Sequence, residues 1–378
     1  MQRETVAIYE DRGLQWARSH DRAGRRDDAE TFAAEVGDGA LRLDIGCGAG
    51  RYAPHLGEPL IGLDASPVML NECRVRVPGA LYVQGDVEAL PFASRSLGGA
   101  WSCMTHLHVP RSQLPVALWD LQRVLAVGAP FDIQVLAGDY EGNNLPDDDV
   151  GGRFFAGWQP GALADVVTGA GFDVEPASVA ISGDEVRLRA RRARTLADTV
   201  GPGMRLLICG LNPSVYSADA GVPFARPGNR FWPAAVAAGL VRRHRDPIGA
   251  LTTSGIGLTD LAKRATRTAA ELDVEEYREG VARVDRVVRW LQPGAVCFVG
   301  LAGWRAVVDR TATAGVQPHL LGDRPVYLMP STSGLNGRSS LDDLTGHLAT
   351  AAALADAALA DAALPGASPA DGPREGAT

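Results

Sequence analysis

The chain has 378 residues, 46% of them hydrophobic and 22% charged, with a net charge of −8. That is the composition of soluble globular protein, and the length suits two domains that can each bury a core. No apolar run reaches about 18 residues, so no membrane-spanning helix is expected, and Glu4, Glu10 and Asp11 interrupt any secretory leader. Residues 1–191 carry −10, residues 192–350 carry +5 and residues 351–378 carry −3. The positive balance of the second block suits a phosphate backbone. Arginine supplies nearly all of it, because Lys263 is the only lysine. The five cysteines (47, 73, 103, 209, 297) form no CxxC pair. They read as reduced thiols of a cytoplasmic protein, and the two in the second half cannot supply the four ligands usual for an iron–sulfur cluster.

Residues 1–39 read as one or two polar helices that cap the first domain, with Ala7, Leu14, Trp16 and Ala17 as possible inward positions. Apolar strands are predicted at 40–45, 60–63 and 81–85. The first runs into Asp44-Ile45-Gly46-Cys47-Gly48-Ala49-Gly50, the second ends at Asp64 and the third at Asp86-Val87. Alternating strands and helices with a carboxylate at successive strand ends read as a doubly wound sheet. Glycines let the backbone approach a ligand at a helix N-terminus, and an acid at the second strand end can accept both ribose hydroxyls. A glycine-rich turn alone could also hold a dinucleotide.

The full order, Asp-x-Gly-x-Gly-x-Gly, then Asp64, then Gly85-Asp86-Val87-Glu88-Ala89-Leu90-Pro91-Phe92, is narrower. It resembles the class I S-adenosylmethionine-dependent methyltransferases, a Rossmann-like α/β/α fold. The resemblance implies S-adenosyl-L-methionine as cofactor, with Asp44, Gly46, Gly48 and Gly50 at its methionine end, Asp64 at the ribose, and Asp86 and Val87 at the adenine. It leaves the methyl acceptor unknown. Residues 101–109 and 123–135 fit the fourth strand, a helix and the fifth strand, with Val127-Gly128-Ala129 in place of the usual Pro-Gly-Gly. His106 and His108 read as core or surface histidines rather than catalysts. Residues 139–152, with Asp147-Asp148-Asp149, read as a loop, 154–171 as a helix, 172–179 as a strand, and 185–190 as the last strand of a domain spanning 40–191.

A second domain is expected over 195–354. Its predicted strands are 205–209, 295–299 and 325–329, around a parallel sheet. Its predicted helices are 229–241, 276–291, 302–310 and 339–354. Residues 351–378 turn to Ala/Asp repeats and then Pro/Gly/Ser, and read as a frayed helix and a disordered tail, the tail being 355–378. Leu206-Leu207-Ile208-Cys209 is a buried strand broken by Gly210 and Pro213, which puts Asn212 just past its carboxyl end, where ligands bind in α/β sheets. Downstream stand Ser217, the lone aromatic Phe224, and Arg226, Asn229 and Arg230. An amide, a stacking ring and arginines that reach phosphate suit a pocket for a flipped base.

Gly210-Leu211-Asn212-Pro213 with Pro223-Phe224-Ala225, Gly257-Leu258-Thr259-Asp260-Leu261 with Arg264 and Thr266, and Met329-Pro330-Ser331-Thr332-Ser333-Gly334-Leu335-Asn336-Gly337-Arg338 occur in this order. Together they resemble the mismatch-specific uracil/thymine-DNA glycosylases of the uracil-DNA glycosylase superfamily. The resemblance implies a second α/β/α domain acting on double-stranded DNA with G·U or G·T mismatches. In that reading Asn212 positions water, Phe224 stacks on the base, and Leu335 wedges the duplex beside Arg338. Ser217, Asn229 and Arg230 contact substrate, and no cofactor is needed. Met329-Pro330-Ser331 lacks the histidine of fast uracil enzymes, which implies slow turnover that depends on the leaving group. Ser214 stands where many relatives carry glycine, which bears on tolerance of the thymine methyl. The alternatives are a chain whose methyltransferase is the main activity, or a cofactor-sensing module joined to a mismatch binder that does not cleave.

Overall fold

The computed structural model describes residues 2–19, 24–146 and 148–363. Asp147 of the acidic turn, and the tail beyond 363 expected to be disordered, lie outside them.

Two helices open the chain, α1 (Arg3–Ser19) and α2 (Arg26–Val36). Then come β1 (Arg42–Ile45), β2 (Leu60–Asp64), α3 (Pro67–Arg76), β3 (Leu81–Gln84), β4 (Gly99–Cys103), α4 (Leu114–Val124) and β5 (Pro130–Leu136). A short antiparallel pair, β6 (Glu141–Gly142) and β7 (Phe155–Ala156), precedes α5 (Pro160–Gly169), β8 (Phe172–Val174), β9 (Ala180–Ser182) and β10 (Glu185–Arg192). The main sheet runs β3-β2-β1-β4-β5-β10-β8, with β9 beside β10. β1 to β5 are mutually parallel where they pair, whereas β10 is antiparallel to both β5 and β8.

The antiparallel edge follows from the chain. β9 and β10 are joined by Gly183-Asp184, with Gly183 at φ +63°, and so short a turn can link only antiparallel strands. β10 alternates inward Val186, Leu188 and Ala190 with outward arginines, and Arg187 pairs with Asp28 of α2. The helix predicted over 154–171 begins only at Pro160, which fits the first helical position. Phe154, Phe155 and Trp158 before it are buried instead.

The second unit contains β11 (Leu206–Gly210), α6 (Val215–Ala220), α7 (Phe231–Ala237), α8 (Pro247–Ser254), β12 (Ile256–Asp260), α9 (Val274–Leu291), β13 (Ala295–Val299), α10 (Ala302–Val307), β14 (Gly315–Val316), β15 (Val326–Met329) and α11 (Leu341–Ala362). Its sheet order is β12-β11-β13-β15-β14, parallel except for the two-residue edge strand β14. Sequence reading treated 257–261 as a motif and missed that it is a strand, and it missed α6 and α8. The helix predicted over 229–241 is shorter because the Asn229 carboxamide oxygen accepts the Phe231 amide, which makes Asn229 a flank, and Gly239 at φ +68° follows its end. α11 starts at its Ser340 cap and runs past the predicted end at 354, because the Ala/Asp repeat is rich in the best helix former. No described helix is long and apolar enough to cross a membrane.

The two units meet along α5 and α9. Asp165 forms an ion pair with Arg286, and Trp158 meets Trp290 edge-on with ring centres 5.8 Å apart. Nearby, the buried Asp198 carboxylate accepts hydrogen bonds from Arg283, Lys263 and Thr259.

Candidate functional site

Two sites lie past the carboxyl ends of the central strands, one in each sheet. In the first, the chain leaves β1 through Gly46, Gly48 and Gly50, all at positive φ between 53° and 80°. A Cβ on Gly46 would fall 2.2 Å from the Thr105 hydroxyl, so only glycine fits there. Asp64 accepts hydrogen bonds from the Gly48 and Ser66 amides, each at 2.9 Å. Burial nevertheless lifts its carboxyl above the ordinary range, against the pull of those amides. A cavity of about 120 Å³ is lined by Gly46, Gly48, Asp64 and Thr105 on one side and by Tyr9, Trp16 and Ala17 of α1 on the other.

The other residues predicted for this cofactor sit differently. Asp44 is buried beneath the glycine loop, and burial raises its carboxyl well above the usual value. Val87 is also buried, and Asp86 accepts the Glu88 amide. Asp44, Gly50, Asp86 and Val87 do not line the cavity. Gly50 instead packs under α3, where a Cβ would meet the Cys73 sulfur at 2.8 Å. His106 is core, as expected: it is fully buried and bonded through Nδ1 to the Ser102 hydroxyl. His108 does line the cavity. Its Nδ1 meets the Phe154 carbonyl at 2.6 Å and therefore carries the proton, leaving Nε2 to accept from the Tyr9 hydroxyl. Burial drops both histidines to about 4, so both are neutral.

The donor set fits S-adenosyl-L-methionine at the glycine turn and Asp64. The free volume does not yet admit it, since pockets for ligands of that size span about 300–1,000 Å³. Tyr9, Trp16 and Ala17 of α1 form part of the cavity wall.

In the second site, β11 ends at Gly210 beside Asp260, the last residue of β12. Asn212 Nδ2 donates to the carbonyls of Pro213 and Arg264 and to the Thr266 hydroxyl, at 2.8–3.1 Å. The Val215 amide donates to the Thr266 carbonyl and the Thr266 amide to that of Pro213, which pins the two motif segments together. With Nδ2 engaged, the carboxamide oxygen is the end of Asn212 left to face a ligand.

Phe224 has φ +55° and stacks on Phe231 with ring centres 4.1 Å apart. A bulky side chain in left-handed backbone is held there by its surroundings. Ser217 is buried. Its hydroxyl sits 3.0 Å from that of Ser214 and accepts the Ala225 amide, tying α6 to the Phe224 loop. Arg230 does not wait for phosphate as predicted. Its guanidinium donates to the carbonyls of Ser333, Asn336 and Ser339 and so clamps the loop that carries Leu335. Leu335 is 85% exposed, and Arg338 in the same loop is exposed and in no ion pair among the described residues.

Sequence reasoning did not assign a role to Asp260. Its carboxylate is 7% exposed and accepts no hydrogen bond among the described residues. Burial pushes it up to about 6, against the nearby Lys263 charge. A Cβ on Gly210 would meet it at 2.4 Å and the Phe224 ring at 3.4 Å, so carboxylate and ring flank the end of β11, two residues before Asn212. The signal available in the sequence was an acid in the second motif, after the apolar Ile256 and Leu258.

Two family models match the chain. Residues 43–131 match "Methyltransferase domain" and residues 197–355 match "Uracil DNA glycosylase superfamily". Solved structures similar to the chain include S-adenosylmethionine-dependent methyltransferases from three organisms. That of Methanosarcina mazei is 16% identical, covers 43% of this chain and 97% of its own, and has a TM-score of 0.38. That of Mesorhizobium loti is 19% identical, with 45% and 99% covered and a TM-score of 0.38. That of Aquifex aeolicus is 19% identical, with 47% and 98% covered and a TM-score of 0.37.

Proposed function

From a chain that carries both a methyltransferase domain and a uracil DNA glycosylase superfamily domain, we propose that residues 195–354 release uracil, thymine or a damaged pyrimidine mispaired with guanine in duplex DNA. Residues 40–191 bind S-adenosyl-L-methionine, and residues 1–39 cap them. The observation that supports the glycosylase reading is that Asp260 and Phe224 flank Gly210 at the end of β11, two residues before an Asn212 whose carboxamide is fixed by Pro213, Arg264 and Thr266.

The proposed chemistry rests on what each group can do. Leu335 enters the base stack, and a mismatch lowers the cost of flipping. Phe224 presents a face to the extruded base. Asn212 is neutral and cannot be a strong base. Its fixed carboxamide leaves the oxygen to orient a water against the sugar. As the base departs with the bonding electrons, positive charge grows on the sugar. An ionised Asp260 stabilises that charge and accepts the proton of the attacking water. The products are the free base and an abasic site.

In the first domain Asp64 is assigned to the ribose hydroxyls and the Gly46–Gly48 turn to the methionine end. When bound, S-adenosyl-L-methionine supplies an electrophilic methyl group. Neutral His108 sits at the cavity wall with Nε2 facing Tyr9, where it can take a proton from an acceptor that displaces the phenol.

The test is single-turnover incubation of the intact protein with a duplex containing one G·U pair. Release of uracil that leaves an alkali-labile site supports the reading. No release from G·U, G·T or single-stranded uracil overturns it.

A further inference from the structure

Three surface loops abut one another across the mouth of the second site. The middle one, 222–230, carries Phe224 and Arg226. On one side it meets the wedge loop, because a Cβ on Gly334 would fall 2.9 Å from the Gly228 carbonyl oxygen. On the other side it meets the loop 242–245, because Arg245 donates to the Ala225 carbonyl at 2.7 Å. That third loop reads Arg242-Arg243-His244-Arg245 and lies outside all three glycosylase-like motif segments, and Arg242, Arg243 and His244 are exposed.

The pairing of the arginines separates this face from the rest of the domain. Arg194, Arg205, Arg264, Arg278, Arg283, Arg286 and Arg289 each hold a carboxylate. Arg226, Arg242, Arg243 and Arg338 form no ion pair among the described residues, and all four are exposed. Arg267, Arg305 and Arg310 are also exposed without an ion pair among the described residues, but lie in other segments, and Arg305 donates to the Ala312 carbonyl. The nearest acid in the chain to the third loop, Asp246, accepts the Gly249 amide as the cap of α8. Neighbouring guanidinium groups without counter-charges repel one another, so a stretch left this way suits an external polyanion.

We infer that the Arg242–Arg245 loop is a phosphate-binding arm that extends the DNA interface beyond the wedge loop, with Arg242 and Arg243 contacting duplex backbone phosphates and Arg245 holding the arm against the Phe224 loop. This rests on the glycosylase reading for its ligand, but it concerns binding and not base release. Arginine contacts of this kind carry affinity without sequence preference and show themselves in the salt dependence.

The experiment is equilibrium binding of the intact protein to a 30-base-pair duplex with one tetrahydrofuran abasic analogue, which has no base to release, over a series of salt concentrations. Arg242→Ser/Arg243→Ser should weaken binding severalfold at about 0.15 M salt and flatten the log–log salt slope by about one per arginine. Arg242→Lys/Arg243→Lys should restore most of the slope. Arg278→Ser/Arg289→Ser removes two paired arginines of α9 and should leave it unchanged. A wild-type slope in the Ser/Ser variant overturns the inference, as does an equal loss in the α9 variant. Failure of the wild type to release uracil while it binds with the expected slopes overturns the glycosylase reading alone.

Discussion

Gly210 and Asp260 face each other across neighbouring parallel strands so closely that a methyl group on Gly210 would lie 2.4 Å from a carboxylate oxygen. Gly210 needs to be glycine for this approach and not for its backbone angle. Gly210→Ala must therefore push the Asp260 carboxylate toward or away from Phe224 while leaving the strands paired. A displacement on the order of 1 Å in a catalytic group can cost on the order of 100-fold in rate. Single-turnover release from G·U duplexes should fall by roughly that factor in the variant, with an unchanged circular dichroism spectrum.

The same carboxylate sets a pH dependence. Burial raises Asp260 to about 6, so it is neutral below that pH and ionised above it. Only the ionised form can balance a sugar cation or take a proton from water. Base release should therefore rise as pH increases through about 6 and level off above it. Asp260→Asn should be slow at every pH and lose the inflection. An Asn variant that keeps the wild-type profile would remove Asp260 from the chemistry.

Much of this architecture was legible in the sequence. The runs at 60–64, 206–210 and 295–299 are mostly apolar and short, the run at 42–45 alternates Arg42 and Asp44 with Leu43 and Ile45, and each is closed by Gly or Asp, so their strands and the loops after them could be placed. What was not legible depends on distant contacts. Tyr9 reaches His108 across 99 positions, and nothing local to α1 shows that it covers a cavity. Arg230 lies among Gly, Asn and Pro and reads as exposed, yet it serves three carbonyls about a hundred positions away. Asp260 reads as one more acid in a motif until β12 and its register against Gly210 are known.

In the first domain Asp64 holds both the glycine turn and the assigned ribose position. Hydrogen bonds to a charged group contribute about 1.5–3 kcal/mol, so Asp64→Ala should weaken S-adenosyl-L-methionine binding roughly 10–100-fold. Trp16→Ala should act on a different step. Removing an indole from the wall of a cavity of about 120 Å³ should speed cofactor association. Calorimetry and stopped-flow fluorescence read the two effects, and absence of any binding by the wild type would refute the cofactor assignment.

A β-lyase of the usual kind needs a free amine. Lys263, the only lysine, donates from Nζ to the Leu196 carbonyl at 2.6 Å and to Asp198 at 2.8 Å, and is committed there. The abasic product should remain unbroken until alkali is added. Borohydride should trap no covalent protein–DNA adduct, and an adduct lost in Lys263→Gln would show that the ion pair opens for chemistry.

In the proposed reaction Asn212 serves the chemical step and Leu335 the opening of the duplex. Asn212 is fixed by three acceptors on neighbouring segments, so Asn212→Ala removes a preset group without disturbing the exposed loops of the proposed DNA face. Base release should drop on the order of 100-fold or more while duplex affinity changes little. Leu335 has the opposite character. It is 85% exposed and sits in a loop clamped by Arg230. Its work is needed only when a base must leave a stack. Leu335→Ala should therefore slow release from G·U duplexes far more than from single-stranded uracil, whereas Asn212→Ala should slow both alike. Single-turnover rates for the two variants on the two substrates give four numbers. Wild-type rates for Asn212→Ala, or equal losses on both substrates for Leu335→Ala, would reverse these assignments.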